Sequence, residues 1–293
     1  MPTPALLSVE GLFYILGAWC LSYIIKRKEW EHLALFISIL IYSTVIEFLT
    51  LHITKAYHYG DFLLKIAGFP LWVSTLWAVI VYTSMCASDL MNLPRNIKPF
   101  YDALLTVMVE LAIDPVSVQL KFWFWHDAGR WFDVPYANYF GWFNAVFIFS
   151  WLWRTTGKLL SSEGITTKCS LLLRGLFTIA ISAVLLGFSD LVYYLNLPLY
   201  LQEVLLLAMF STSVLLVILF SSEIRTDNPV EGYLLITISA IYLYFFIAIL
   251  VWCAPPIKDG IFIGIFSIFF ILSLFGRSLP FLEELRIPRY QMV

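Results

Sequence analysis

The stretch EGYLLITISAIYLYFFIAILVWC, residues 231–253, carries a single charged side chain, Glu231, at its first position. An α-helix rises 1.5 Å per residue, so about 20 mostly apolar residues are enough to cross the ~30 Å hydrocarbon core of a bilayer. This stretch therefore predicts a transmembrane helix.

Runs of the same kind recur along the whole chain, separated by short breaks that carry charge or proline, such as KRKEWE at 26–31 and APPIKDG at 254–260. Nine spans are predicted: 6–25, 33–53, 67–89, 99–120, 137–155, 171–195, 200–220, 231–253 and 260–282. The expected fold class is all-α, a polytopic transmembrane bundle of about nine helices. We expect residues 1–293 to form a single integral membrane domain, in a prokaryotic plasma membrane.

The composition supports lipid as the solvent. The chain is 61% hydrophobic and 13% charged, whereas soluble domains are about 45–50% apolar and about 25% charged. The net charge of −2 gives no basic field, so no nucleic-acid partner is expected. The four cysteines and four histidines show no metal-binding spacing, and no metal site is predicted. Motifs of nucleotide-binding, flavin and serine-hydrolase proteins are absent from the sequence.

The distribution of positive charge predicts the orientation. With nine spans, thirteen of the 18 Lys and Arg residues fall on the side that holds the odd-numbered loops and the C-terminal tail. Cytoplasmic loops carry the excess of Lys and Arg. The sequence therefore predicts that the N-terminus is outside and the C-terminus is cytoplasmic.

Three carboxylates stand inside predicted spans at similar depth. Glu47 lies on the second helix, and Glu110 and Asp114 lie one turn apart on one face of the fourth, all in the outer half of the membrane. Ionisable residues in a membrane are costly and are functional candidates by default. A protonated carboxyl group in an apolar pocket is a general acid, so proton chemistry is indicated.

Other acids lie at the edges of the predicted bundle. Asp190 and Glu203 flank an outer turn, whereas Asp89 and Asp102 lie near the inner side. A structural role is an alternative for each acid in the chain, because a carboxylate can also cap a helix, hydrogen-bond across the bundle or sit in a wet vestibule.

A dense aromatic stretch follows the fourth span. KFWFWHDAGRWFDVPYANYFGWF at 121–143 surrounds several polar side chains with tryptophan, tyrosine and phenylalanine. One interpretation is an interfacial aromatic belt. The other is the rim of a pocket for an apolar, unsaturated ligand, in which aromatic faces would stabilise a carbocation as they do other cations.

Residues 99–144 resemble the carotenoid-biosynthesis membrane protein family that includes the acyclic carotenoid 1,2-hydratases. The shared elements are an Asp on a helix, an acid-Pro pair, a Trp-x-Trp and a V-P-x-x-N-x-x-G-W motif. They correspond here to Asp102, Asp114-Pro115, Trp123-Phe124-Trp125 and DVPYANYFGW at 133–142. A weaker match upstream consists of Glu47, YHYG at 57–60 and GFPLW at 68–72, which ends on Trp72. LHITKA at 51–56 replaces the family's Thr-Gly pair and the Pro-Phe-Gly that follows it.

The resemblance implies a substrate and a reaction. The substrate would be a long linear polyene or isoprenoid dissolved in the bilayer, and the reaction would add water across its terminal double bond without metal or organic cofactor. Membrane lipids and other carotenoid-pathway enzymes are the implied partners. The candidate catalytic residues are Glu47, Glu110, Asp114 and Asp102, and the candidate substrate-binding residues are Trp72, Trp123, Trp125, Tyr136, Asn138 and Trp142.

Two other functions remain open at the level of sequence. The same cation could lead to cyclisation or isomerisation instead of hydration. A transporter or lipid-binding protein is the alternative outside enzymes, although the sequence has no matching halves of the kind that transporters often show.

Overall fold

The computed structural model describes residues 3–127, 129–162, 167–194, 197–220 and 232–284. Within these residues the chain forms nine long helices, which confirms the predicted helical bundle. They are α1 (Pro4–Arg27), α2 (Trp30–Leu49), α3 (Leu71–Asp89), α4 (Lys98–Gln119), α5 (Tyr136–Ser162), α6 (Lys168–Tyr194), α7 (Leu199–Leu219), α8 (Gly232–Trp252) and α9 (Gly260–Glu284).

Seven of the described helices are long and apolar enough to cross a membrane, which supports an integral membrane protein. The other two, α4 and α5, are equally long but more polar, and α4 alone carries Asp102, Glu110 and Asp114. The orientation of the termini remains a prediction. The predicted break at 223–229 lies outside the described residues, as do residues 195–196 of the break between α6 and α7.

The bundle is arranged around α3 and α4. Helix α4 packs against α3, α5 and α9, and α3 also contacts α1 and α2. In the most apolar part of α3, 89% of the residues are buried inside the protein, whereas the corresponding share for α7 is 11%. Polar side chains on α3 and α4 therefore face protein, while α7 mostly presents its surface to lipid.

The loops that follow α2 and α4 contain short strands that hydropathy did not predict. Strand β1 (Tyr57–Tyr59) follows a π-helical turn at Thr50–Thr54, and it pairs antiparallel with β4 (Trp123–Trp125). Both strands alternate large side chains, as YHY and WFW, and successive side chains of a strand point to opposite faces. The β1–β4 pair therefore directs two tyrosines and two tryptophans toward the bundle.

Helix α3 starts at Leu71, four residues later than predicted. The preceding residues form a hairpin of β2 (Lys65–Ile66) and β3 (Phe69–Pro70), whose turn places Ala67 and Gly68 at positive φ. Positive φ is incompatible with a right-handed helix, so the apolar character of 67–70 does not extend the helix.

Pro115 lies inside α4 and lacks the N–H that would bond to the carbonyl of Leu111 one turn earlier. The indole N–H of Trp131 donates to this carbonyl at 3.0 Å instead. The aromatic loop after α4 is thereby tied to the turn of helix that carries Asp114.

Candidate functional site

Helices α2 and α4 bring three acids to one cavity beneath the β1–β4 pair. Glu47, Glu110 and Asp114 all line it, although their side chains are at most 5% exposed. The cavity has an enclosed volume of about 30 Å³, within about 360 Å³ of free space that includes its opening. Its other lining residues are Tyr57, Tyr59, Trp72, Val73, Leu76, Trp123, Trp125, Asn138 and Trp142. None of the described lining residues is a Lys, Arg or His.

Glu47 is held by two tyrosines of β1. The hydroxyls of Tyr57 and Tyr59 each donate to its Oε2 at 2.6 Å. Burial, followed by the negative charge of Glu47, raises the pKa of both phenols well above its usual value, so both remain O–H donors. Two donors on one oxygen suit an ionised carboxylate, because hydrogen bonds to the charged form favour that form.

The two acids of α4 have different surroundings. The side-chain amide of Asn138, on α5, donates to Oδ2 of Asp114. Oε1 of Glu110 is buried and has no hydrogen-bond partner among the residues that the structure describes. Two buried carboxyl groups one turn apart, with no cation among the described lining residues, favour a shared proton over two charges.

Indole rings form much of the cavity wall. Trp72 stacks against Trp123 at a centroid distance of 6.2 Å. The indole N–H groups of Trp72, Trp123 and Trp125 are buried and unpartnered within the described part of the chain. Buried donors of this kind usually bond to protein, water or ligand. The wall therefore combines aromatic faces with hydrogen-bond donors that a bound molecule could use.

A second cavity, with an enclosed volume of about 80 Å³, adjoins the first. The two share Glu47, Tyr57, Trp125, Asn138 and Trp142 as lining residues. The second also reaches Asp190 on α6. Glu47 is thus accessible from both cavities.

Eight of the ten candidate site residues line the first cavity. Asp102 lies elsewhere, fully buried, where it accepts from Ser88 Oγ at 2.5 Å, Ser150 Oγ at 2.6 Å and the guanidinium of Arg154 at 3.0 Å. Tyr136 begins α5 and is not a lining residue. Glu203, an acid predicted to lie at the outer rim, pairs with Arg130 at 2.7 Å.

Sequence reasoning did not select Tyr57 and Tyr59 as site residues. The signal that could have found them is the Tyr-x-Tyr pattern in the loop that follows an acid-bearing helix, because a strand would place both hydroxyls on one face. For metals, the described residues contain no group of three or more His, Cys, Asp and Glu side chains that could hold an ion.

Residues 9–209 match the family profile described as carotenoid biosynthesis protein. The chain belongs to this family. The matched range covers most of the 293 residues and includes every residue that lines the first cavity. A role in carotenoid biosynthesis follows, with isoprenoid substrates and membrane lipids as the molecules that the protein meets. No curated protein and no solved structure gives a significant match.

Proposed function

We propose that this carotenoid biosynthesis protein is a hydratase that adds water to the terminal trisubstituted double bond of an acyclic carotenoid. The observation that carries the proposal is the meeting of Glu47, Glu110 and Asp114 in one aromatic cavity. The proposal also assigns the protein to a prokaryotic plasma membrane, with the cavity toward the outward-facing leaflet.

Glu110 is the general acid in this proposal. Its Oε1 has no donor among the described residues that would favour the charged form, whereas Asn138 donates to Asp114 and two phenols donate to Glu47. The proton of the α4 pair therefore belongs on Glu110. It is delivered to the less substituted alkene carbon, and a tertiary carbocation forms at the other carbon.

Other residues of the cavity stabilise the carbocation and accept a proton from the incoming water. The ionised Glu47 and the faces of Trp72 and Trp123 offset the positive charge. Water attacks the cationic carbon and loses a proton to Glu47, which leaves a tertiary alcohol. A proton then passes from Glu47 back to Glu110 through the cavity, so the net reaction is addition of one water.

The enclosed volume of about 30 Å³ is room for only one or two water molecules, so the polyene is not held whole inside the protein. Only the end of the chain would enter, from the open side of the cavity, and the remainder would lie in the bilayer. Reaction at a chain end is the outcome expected from such a geometry.

The test is product analysis in a lycopene-accumulating cell that expresses the protein or its variants. The native chain should give a pigment heavier by the mass of one water. Glu110→Gln should lower the amount formed roughly 10²–10⁴-fold, because it removes the general acid. The matched control is Glu203→Gln, which changes an acid outside both cavities and should leave hydration intact.

Two outcomes would reject the proposal. A product of unchanged mass would indicate cyclisation or isomerisation from the same cation. Full hydration by Glu47→Gln, Glu110→Gln and Asp114→Asn alike would remove these acids from the chemistry.

A further inference from the structure

A basic cavity lies at the opposite end of the bundle from the three acids. It is formed where α3 ends and where α2, α4 and α6 begin, and its volume is about 350 Å³. The charged residues that line it are Glu31, Asp89, Arg95, Lys98, Arg154 and Arg174. The distribution of Lys and Arg predicts that this end is cytoplasmic.

Three of the four cations are held by carboxylates. Arg174 pairs with Glu31 at 2.6 Å, and Lys98 pairs with Asp89 at 3.2 Å. Arg154 pairs with Asp89 as well as with the fully buried Asp102 behind the cavity. These ion pairs hold in place the side chains that line the cavity. One of the four cations takes part in none of them.

Arg95 is this remaining cation. It is exposed in the loop between α3 and α4, and no carboxylate of the described residues lies within ion-pair distance of it. Burial, and then the charges of Arg154 and Arg174, lower the pKa of its guanidinium. The four cations face three acids when Asp102 is included, so one net positive charge is left for a ligand.

The surroundings of the cavity favour a lipid over a free anion. Just beside Arg174, α6 exposes Leu172, Leu173, Leu176 and Phe177, each by more than half of its surface. Acyl chains can pack there while a headgroup reaches the cations. The guanidinium of Arg174 also lies over the ring of Trp153 at 4.0 Å, as expected for a membrane interface rich in tryptophan.

We propose that the basic cavity binds the phosphodiester headgroup of an anionic phospholipid, with Arg95 as the cation that the lipid neutralises. One phosphodiester carries one negative charge, which matches the charge left over in the cavity. If each heavy atom is allowed the ~30 Å³ of a water molecule, a phosphoglycerol headgroup of about ten heavy atoms fits within the 350 Å³. This site is separate from the proposed hydratase cavity, so either assignment can fail without the other.

The experiment is native mass spectrometry of the full chain in detergent with equimolar phosphatidylglycerol and phosphatidylcholine. The native protein should retain about fivefold or more phosphatidylglycerol than phosphatidylcholine. Each basic residue near an anionic surface contributes roughly that factor to lipid binding. Arg95→Gln should lower the preference about fivefold. Arg95→Lys should keep most of it, because the charge is preserved.

The control is Lys258→Gln, which removes an exposed cation from the loop between α8 and α9 at the other end of the bundle. It should leave the preference unchanged. An unchanged preference in Arg95→Gln would overturn the proposal. Displacement of bound phosphatidylglycerol by equimolar inorganic phosphate would assign the site to a free anion and would overturn the lipid assignment.

Discussion

The indole rings of Trp77 and Trp142 lie face to face, with centroids 3.6 Å apart and planes inclined by 13°. Trp77 belongs to α3 and Trp142 to α5, so the stack joins two helices that flank α4. Trp142 lines both cavities at the end of the bundle that holds the three acids. The stack therefore fixes the position of a wall that both cavities share.

Replacement of Trp77 by leucine is expected to loosen this wall. Trp77→Leu should lower the free energy of unfolding by roughly 2–5 kcal/mol, because it removes buried ring atoms and leaves space. Trp77→Phe keeps an aromatic face and should lower the free energy of unfolding clearly less. Thermal unfolding in detergent measures both. Equal losses in the two variants would show that ring stacking contributes little.

The two tyrosines of β1 are expected to control Glu47. Tyr57→Phe or Tyr59→Phe removes one hydroxyl donor from Oε2 of Glu47. A hydrogen bond to a charged group is worth about 1.5–3 kcal/mol, so each variant should form product roughly 10- to 100-fold more slowly. Initial rates in membranes with saturating polyene give the comparison.

A matched control for these tyrosines is Tyr244→Phe. Tyr244 shares a hydrogen bond with Ser8 at 2.9 Å and lies outside both outer cavities. Its rate should be close to that of the native chain. If Tyr57→Phe and Tyr59→Phe behave in the same way as Tyr244→Phe, the phenols do not assist Glu47.

Asp102 is expected to act on stability and not on the reaction. Asp102→Asn leaves the buried guanidinium of Arg154 short of a charged partner, and breaking a buried ion pair costs about 3–5 kcal/mol. The yield of folded protein should fall, while the rate per folded molecule should stay near native. Size-exclusion profiles and product assays on the same samples separate the two effects.

Asp89→Asn provides the comparison for Asp102. The side chain of Asp89 is 46% exposed, whereas that of Asp102 is fully buried. This variant should therefore unfold closer to the native temperature than Asp102→Asn does. A loss of rate per folded molecule in Asp102→Asn would instead restore Asp102 as a catalytic candidate.

Gly60 is expected to hold the β1–β4 pair over the cavity. A Cβ at this position would lie 2.4 Å from the carbonyl oxygen of Lys121, which is backbone and cannot rotate away. Gly60→Ala should displace the two strands and lower the rate of product formation, with the helical bundle retained by circular dichroism. Gly11→Ala, where a Cβ has open space, should leave the rate unchanged.

Much of this architecture could be predicted from hydropathy alone, because a membrane helix needs only length and apolar side chains. The positions of Glu47, Glu110 and Asp114 at one depth also followed from helical rise. The ends of the spans were less predictable, since an apolar segment such as 67–70 can form a hairpin as well as a helix. The pairing of β1 with β4 joins residues more than 60 positions apart, and no local pattern specifies such a contact.

The sequence also could not predict which of the acids lie in the cavity and which lie elsewhere. Asp102 and Glu110 stand on the same helix eight residues apart and have similar apolar neighbours in the chain. What separates them is Arg154 of α5, whose side chain reaches Asp102 and not Glu110. Such a contact depends on how two helices are packed, which neither helix reveals by itself.

The polarity of α4 has a consequence for the biogenesis of the protein. An Asp near the centre of a helix raises the free energy of insertion from the translocon by roughly 2.5–3.5 kcal/mol, whereas each Leu or Ile lowers it by only about 0.3–0.6 kcal/mol. With Asp102, Glu110 and Asp114 on one segment, α4 would not leave the translocon for lipid alone. A neighbouring helix that shields these carboxylates would offset this cost, so we expect α4 to enter the bilayer together with the helices it packs against.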